Sequence, residues 1–231
     1  MEFPQLSLSY SSYDEANAPW MLVTGGRPPA PKWLAALQDY TSCWAADHGI
    51  DVCHQARLLP DVLLGDGDSA SAPSWNWAGK NGVSIQKYPV AKDYTDTQLA
   101  LQLMMEAGAP AIILTGAFGG RFDHAYSTMF SCAGIGIPCA LIDETESLFF
   151  VKTDQSASLT FHAIPKAISL LPFTETCSGV TINNVRWPLT DAILTQKSPT
   201  AISNELLTGP KALSICTKTG ILGVYCYWES P

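Results

Sequence analysis

Residues 111–124, AIILTGAFGGRFDH, join a short apolar run to a glycine-rich turn. The apolar residues that open this stretch are continuous, a pattern typical of a strand buried on both faces of a parallel sheet. Further strand-like runs lie at 19–24 and 62–64, and helix-like segments lie at 31–40 and 95–107. Repeated strand, turn and helix units of this kind predict an α/β domain with a Rossmann-like parallel sheet.

The sequence changes character near residue 145, after which the helical pattern fades. Short runs rich in Phe, Val, Thr and Ile follow, separated by polar, Gly and Pro turns. They lie at 147–152, 158–162, 167–171, 180–182, 212–217 and 223–228. Such spacing predicts an all-β sandwich. We therefore divide the chain into an N-terminal extension (1–18), an α/β domain (19–145) and a β-sandwich (146–231).

Composition narrows the range of partners. The 231-residue chain has 21 acidic and 13 basic residues and a formal net charge of −8, so it has no electrostatic reason to bind nucleic acid or an anionic membrane. No apolar run approaches the roughly 20 residues that cross a bilayer. The seven cysteines include no C-x-x-C pair, and residues 1–17 lack the Lys or Arg of a signal peptide. We expect reduced thiols in a cytoplasmic protein.

Acidic residues cluster in the first half at positions where strands are expected to end. They are Asp47, Asp66, Asp68, Asp93, Asp96 and Asp123. Ligands of open parallel sheets bind beyond the carboxyl ends of the strands, so these carboxylates are candidates for one crevice. Converging carboxylates repel unless a cation lies among them, and an all-oxygen ligand set suits Mg²⁺. The alternative for any single Asp is a turn or helix cap.

The glycine turn supplies a candidate anion site. Gly119 and Gly120 allow backbone N–H groups to approach a phosphate, and Arg121 adds a guanidinium beside them. Neither the P-loop nor the dinucleotide fingerprint occurs in the sequence, so any nucleotide is held differently. His124 is a candidate base or orienting group, or else a structural hydrogen-bond partner. In the second half, Trp187 is a candidate ligand platform or a core residue.

Taken in order, these motifs resemble those of the thiamine pyrophosphokinase (thiamine diphosphokinase) family. The match spans roughly residues 20–228. The matching segments are Ala46-Asp47-His48-Gly49, Pro60-Asp61 with Gly65-Asp66-Gly67-Asp68-Ser69, Lys92-Asp93-Tyr94-Thr95-Asp96, Gly119-Gly120-Arg121-Phe122-Asp123-His124, Arg186-Trp187 and Ser203-Asn204. The resemblance implies transfer of the terminal diphosphate of ATP to the hydroxyethyl group of thiamine, with Mg²⁺, giving thiamine diphosphate and AMP. It also implies a homodimer with thiamine sites between subunits.

The resemblance assigns roles to the matching residues. The implied catalytic set is Asp66, Asp68, Asp96, Asp123 and Arg121, of which Asp66, Asp68 and Asp96 are the metal ligands. The implied ATP-binding set is Asp47, Gly119, Gly120, Arg121, Asp123 and His124. The implied thiamine-binding set is Trp187, Ser203, Asn204 and Asp96. We hypothesise that Asp96 or Asp123 helps to deprotonate the alcohol.

Four positions depart from the family pattern. Gly67 replaces a Phe, His48 replaces a Gly, Asp51 stands where Asn is common, and Thr128 stands where Asn often follows the His. Loss of the Phe would either loosen the loop or leave room for a different ring in the substrate. Two alternatives therefore stay open: a Mg²⁺-dependent phosphoryl or diphosphoryl transferase of the same scaffold acting on another alcohol, and a non-catalytic protein that binds nucleotide or thiamine.

Overall fold

A computed structural model describes residues 1–14, 16–65, 67–88, 94–209 and 211–229. The chain forms two compact units. One comprises Asn17–Asp143, and the other combines Met1–Ala16 with Glu144–Pro231. Helices and parallel strands make up the first unit, and antiparallel strands make up the second. The predicted combination of an α/β domain with a β domain is confirmed.

The elements run as follows in chain order. The first part of the chain forms β1 (Leu6–Tyr10), β2 (Trp20–Val23), α1 (Pro31–Ala36), β3 (Ser42–Ala46), α2 (Gly49–Ala56), β4 (Val62–Gly65), α3 (Ala72–Lys80), β5 (Ser84–Lys87), α4 (Asp96–Glu106), β6 (Ile112–Thr115), α5 (Phe122–Gly134) and β7 (Cys139–Ile142). The remainder forms β8 (Glu146–Val151), β9 (Gln155–Phe161), β10 (Ala167–Pro172), β11 (Thr176–Ile182), β12 (Leu189–Thr195), β13 (Ala212–Thr217) and β14 (Leu222–Tyr227).

Strands β2 to β7 of the α/β unit pair in parallel, in the order β7-β6-β2-β3-β4-β5. Every residue of β6 and β7 is buried, which explains their continuous apolar sequences. The chain moves from β2 to β3 on one side, and β6 lies on the other side of β2. The strand order therefore reverses at β2, and such a reversal opens a crevice beyond the strand ends.

Local sequence determines where the helices begin and end. Helix α4 starts after Thr95, whose side chain accepts a hydrogen bond from the Gln98 backbone N–H while the Gln98 side chain caps the Thr95 N–H. Helix α1 stops at Ala36, short of the predicted residue 40. Leu37 has an extended backbone, but its side chain is buried. Its apolar residue type therefore continues the helical spacing of Trp33 and Leu34 past the end of the helix. Among the described residues, no helix is long and apolar enough to span a membrane.

The β unit contains two sets of antiparallel strands, β1-β9-β13-β11-β12 and β10-β14-β8. Along β9, buried residues alternate with exposed ones and end at Phe161, as expected for a strand with one face on a core. Ring contacts join the two sets. Phe161 lies 6.5 Å from Trp228, and Phe3 lies 6.3 Å from Phe149, measured between ring centroids.

The N-terminal residues differ from the expected separate extension at 1–18. Strand β1 pairs antiparallel with β9, from Leu6 opposite Phe161 to Tyr10 opposite Ala157. The sequence LSLSY explains the pairing, because its alternate apolar residues all face the core. Residues 1–16 are therefore part of the β unit, although the chain enters the α/β unit before it returns.

Truncating the core face of β1 tests whether this strand belongs to the β unit. Leu8 is fully buried, so Leu8→Ala is expected to lower the free energy of unfolding by about 2–5 kcal/mol. Ser9→Ala, on the other face of the same strand, is the control and is expected to change it by less than about 0.5 kcal/mol. Chemical denaturation measures both variants. Equal stabilities for wild type and Leu8→Ala would show that β1 does not contribute to the core.

Candidate active site

A crevice of about 440 Å³ lies in the α/β unit beyond the carboxyl ends of β2, β3 and β6. Its walls come from the loops that follow these strands and from the first turns of α4 and α5. It therefore occupies the place where the strand order reverses, as expected for the ligand site of an open parallel sheet.

The loops after β2 and β6 are bonded to each other through their backbones. Thr24 N–H donates to the Thr115 carbonyl at 2.9 Å, and its hydroxyl donates to the Gly116 carbonyl at 2.8 Å. Gly26 N–H also donates to the Gly116 carbonyl, at 2.7 Å. A Cβ on Gly116 would lie 2.2 Å from the Thr24 carbonyl oxygen, and its φ of +74° is one that L side chains rarely adopt. Only glycine allows this approach.

An ion pair fixes the end of the first loop. Arg27 donates from Nε and Nη2 to Asp143 Oδ2, at 3.1 and 2.5 Å, and Asp143 is completely buried. The sequence analysis missed both residues and the whole 24–27 loop. The available signal is a repetition: the chain reads Thr-Gly after both β2 and β6, and Gly-Gly-Arg occurs at 25–27 as well as at 119–121.

Most of the predicted ATP-binding residues line the crevice. They are Asp47, Gly119, Gly120, Arg121 and His124, and the crevice is also lined by Asp96, which was predicted as a catalytic, metal-binding and thiamine-binding residue. Thr128, one of the departures from the family pattern, lies on the same wall. Asp68 is exposed and is not among the lining residues. Asp66 and Asp93 lie outside the described residues, so the structure does not place them.

Arg121 and Asp123 form an exposed ion pair at the start of α5. Nε of Arg121 donates to Oδ1 at 3.1 Å, and Nη2 donates to Oδ2 at 2.5 Å. The hydrogen bonds from Arg121 lower the pKa of the Asp123 carboxyl, and the same contact raises the pKa of the guanidinium. Arg121 reaches the crevice and Asp123 does not, so the carboxylate orients the guanidinium from outside.

The donor chemistry of the crevice fits Mg²⁺. Asp47 and Asp96 are both among its lining residues, and hard cations prefer carboxylate ligands. Within the part of the chain that the structure describes, no three His, Cys, Asp or Glu side chains group closely enough to hold a metal ion. The predicted ligand set of Asp66, Asp68 and Asp96 includes an undescribed residue and stays a prediction.

A buried carboxylate supports the loop between β4 and α3. Asp51 of α2 accepts hydrogen bonds from the backbone N–H of Ser71, at 3.1 Å, and from its hydroxyl. Ser71 in turn caps the first turn of α3. Burial raises the pKa of Asp51, but hydrogen bonds from Ser71 and Ser74 outweigh it, and the net pKa is below its ordinary value. The carboxylate therefore stays ionised and holds this loop against α2.

In the β unit, Trp187 and Asn204 line an apolar pocket of about 180 Å³. Trp187 is 54% exposed, and the Arg186 guanidinium lies 4.8 Å from its ring centroid. The Asn204 side chain accepts from the Trp187 N–H at 3.1 Å and donates to the Trp187 carbonyl at 2.8 Å. These bonds fix the backbone that presents the indole. Ser203 lies next in the chain and donates its N–H to the Ser169 hydroxyl.

The fold and the crevice define a class of protein: it has two domains, and its α/β domain binds a ligand beyond the carboxyl ends of the parallel strands. The thiamin pyrophosphokinase catalytic-domain model matches residues 35–135, and the thiamin pyrophosphokinase vitamin B1 binding-domain model matches residues 156–222. The chain belongs to the thiamine pyrophosphokinase family, which confirms the resemblance found in its motifs.

Individual relatives agree with this assignment. A thiamine pyrophosphokinase of Bacillus subtilis (strain 168) is 26% identical over 197 residues, which cover 80% of this chain and 88% of that protein. A crystal structure of the Bacillus subtilis protein superposes with a TM-score of 0.79 at 24% identity, covering 91% of this chain and 99% of the other. Yeast thiamin pyrophosphokinase gives 0.72 at 16% identity, covering 91% and 87%. These structures share the fold.

A methyl group at Gly116 tests the contact between the two loops. Gly116→Ala is expected to lower the free energy of unfolding by at least about 1–3 kcal/mol, because the new Cβ would strike the Thr24 carbonyl and the backbone is left-handed. Gly134→Ala at the end of α5, where nothing lies within 4 Å, is the matched control and should be neutral or stabilising. Thermal unfolding measures the stability of both variants. Equal changes in stability for Gly116→Ala and Gly134→Ala would contradict the contact.

Proposed function

We propose that this crevice binds ATP and that the protein transfers its terminal diphosphate to the hydroxyethyl group of thiamine, releasing AMP. The observation that carries the proposal is the convergence of acidic residues, glycine loops and Arg121 on one crevice in a chain that matches both domains of the family. We also propose that the α/β unit is a doubly wound, Rossmann-like domain that binds its ligand at the carboxyl ends of the strands.

The loops and helix ends are suited to a polyphosphate. Gly119 and Gly120 expose backbone N–H groups on the crevice wall, and Arg121 supplies a charged donor beside them. The N-terminus of the 13-residue helix α5 begins directly after this turn, and its dipole adds positive potential. Arg121 is 74% exposed in its side chain, so it can turn from Asp123 toward a phosphate oxygen.

Asp66, Asp68 and Asp96 are the residues we propose to hold Mg²⁺, with Asp47 nearby. When bound, the ion supplies positive charge that neutralises the phosphate oxygens. Asp96, as the first residue of α4, is fixed by the capping box at Thr95 and Gln98. The helix start thus sets the direction of this carboxylate toward the crevice wall.

The proton of the attacking alcohol requires an acceptor, and two carboxylates were candidates. Asp123 is tied to Arg121, which lowers the pKa of its carboxyl and makes it a weaker base. It also lies off the crevice wall. Asp96 lies on the wall, and we propose that Asp96 takes the proton while Asp123 orients Arg121.

The β unit offers a platform for thiamine. We propose that the exposed indole of Trp187 stacks on a thiamine ring, with Ser203 and Asn204 fixing its surroundings. Arg186 already covers one face of the indole, so the substrate ring takes the other.

All seven cysteines are free thiols, which supports the expected cytoplasmic setting.

A homodimer with thiamine sites between subunits is also part of the proposal. Large apolar side chains lie exposed on the edge strand β12 and the loops around it. They are Trp187, Ile193, Ile202 and Leu207. Exposed apolar side chains grouped in this way favour a protein interface.

The activity is tested by AMP release from ATP and Mg²⁺, with and without thiamine. Wild type is expected to release AMP only with thiamine, and Arg121→Ala is expected to lower kcat/KM about 100-fold, because a charged donor to the phosphates is lost. Lys197→Ala on the β unit is the control. Release of AMP only with another alcohol would support the alternative transferase, and no release with any acceptor would support a non-catalytic binding protein.

The dimer is tested by placing a charge on the β12 face. Ile193 is 68% exposed, and Ile193→Asp is expected to halve the mass measured by light scattering and to abolish thiamine-dependent AMP release. Ile164→Asp, an equally apolar exposed site elsewhere on the β unit, should leave both unchanged. A wild-type monomer, or an unchanged dimer in Ile193→Asp, would contradict this interface.

A further inference from the structure

His48 stands on the wall of the crevice between Asp47 and helix α2. Its side chain is 53% exposed, and it occupies a position where the family pattern has Gly. Neither the sequence motifs nor the proposed mechanism assigns it a role. Two neighbouring groups nevertheless hold its ring, the Asp51 carboxylate and the Ser69 carbonyl.

One ring nitrogen is committed to the protein. Nδ1 lies 3.1 Å from Asp51 Oδ2 and 3.2 Å from the Ser69 carbonyl oxygen. Both partners are acceptors, so Nδ1 carries the proton and donates. Nε2 has no partner among the described residues and is the nitrogen left for a ligand.

The backbone on the opposite side is shaped around the same side chain. A Cβ on Gly25 would lie 2.6 Å from the Cβ of His48, so the loop after β2 can pass this close to residue 48 only because residue 25 is glycine. Asp51 is itself held by the two hydrogen bonds from Ser71. The ring is therefore held in a defined position at a ligand crevice.

We infer that His48 is a nucleotide-binding residue of this chain, whose Nε2–H donates a hydrogen bond to a phosphate oxygen, with Asp51 as its positioning residue. The inference rests on the proposed function, since that proposal places the polyphosphate in the crevice. A phosphate oxygen only accepts hydrogen bonds, so the inferred contact uses an imidazole with a proton on Nε2 as well as on Nδ1. Because Nδ1 is committed to Asp51 and Ser69, Nε2 is left for the phosphate.

Direct binding tests the contact. Titration calorimetry of ATP with MgCl₂ is expected to show about tenfold weaker binding for His48→Ala, the loss of one charge-assisted hydrogen bond. His48→Gln, whose amide N–H lies at the position of Nε2, is expected to restore most of the affinity. The KM for thiamine should stay unchanged in both variants, and His162→Ala, an exposed histidine of the β unit, should bind ATP as wild type does.

The role of Asp51 is tested by comparing single and double variants of Asp51 and His48. Asp51→Asn is expected to weaken ATP binding by about threefold, and the double variant should bind no more weakly than His48→Ala alone. A purely structural role of Asp51 would instead give additive losses, or would lower the thermal midpoint without affecting ATP binding.

The outcomes separate the inference from the proposed function. A folded His48→Ala variant that binds ATP as tightly as wild type contradicts the inference only. Wild-type binding of ATP without thiamine-dependent AMP release contradicts the proposed activity and leaves the nucleotide contact standing. A wild-type chain that does not bind ATP contradicts the proposed function itself.

Discussion

The backbone contact between the loops after β2 and β6 is the constraint on which the site depends. Thr24 donates from its N–H to the Thr115 carbonyl and from its hydroxyl to the Gly116 carbonyl, and the Gly26 N–H donates to the same Gly116 carbonyl. Because β2 is where the strand order reverses, these bonds lie at the crevice itself, whose wall includes Thr24 and Gly116. The buried Asp143 then holds Arg27, so the loop cannot swing into the space that it borders.

The crevice also suggests how the proposed binding of ATP is compatible with a net charge of −8. A negative net charge disfavours long anionic partners, because they interact with a large part of the protein surface. A single nucleotide interacts mainly with the crevice wall that it contacts. At that wall, backbone N–H groups, a helix terminus and Arg121 all present positive potential. In the proposed complex the carboxylates beside them would supply oxygen ligands to a divalent cation, so the local arrangement of charge outweighs the net charge.

Elements could be predicted from the sequence where a local pattern is compatible with few structures. The apolar run at β6 is continuous, and the Gly119–Gly120–Arg121 turn follows it, so both the strand and the candidate anion site could be predicted. Prediction failed where partners are distant in sequence. Arg27 meets Asp143, and β1 pairs with β9 far along the chain, and nothing local signals either contact. Helix α5 was missed because no typical capping residue marks its start: its N-cap is Arg121, whose side chain makes no capping hydrogen bond.

Two departures from the family pattern that look independent in the sequence are in contact in the structure. His48 and Asp51 lie one helical turn apart, and Asp51 also anchors Ser71, in the segment that follows Asp66 and Asp68. A glycine at 48 and an asparagine at 51 would lose the ring and its charged partner together. Either change alone would remove one partner of the other residue, because Asp51 without His48 keeps its donors from Ser71 and Nδ1 without the Asp51 carboxylate keeps the Ser69 carbonyl. The pairing therefore explains why both positions differ from the family in the same chain.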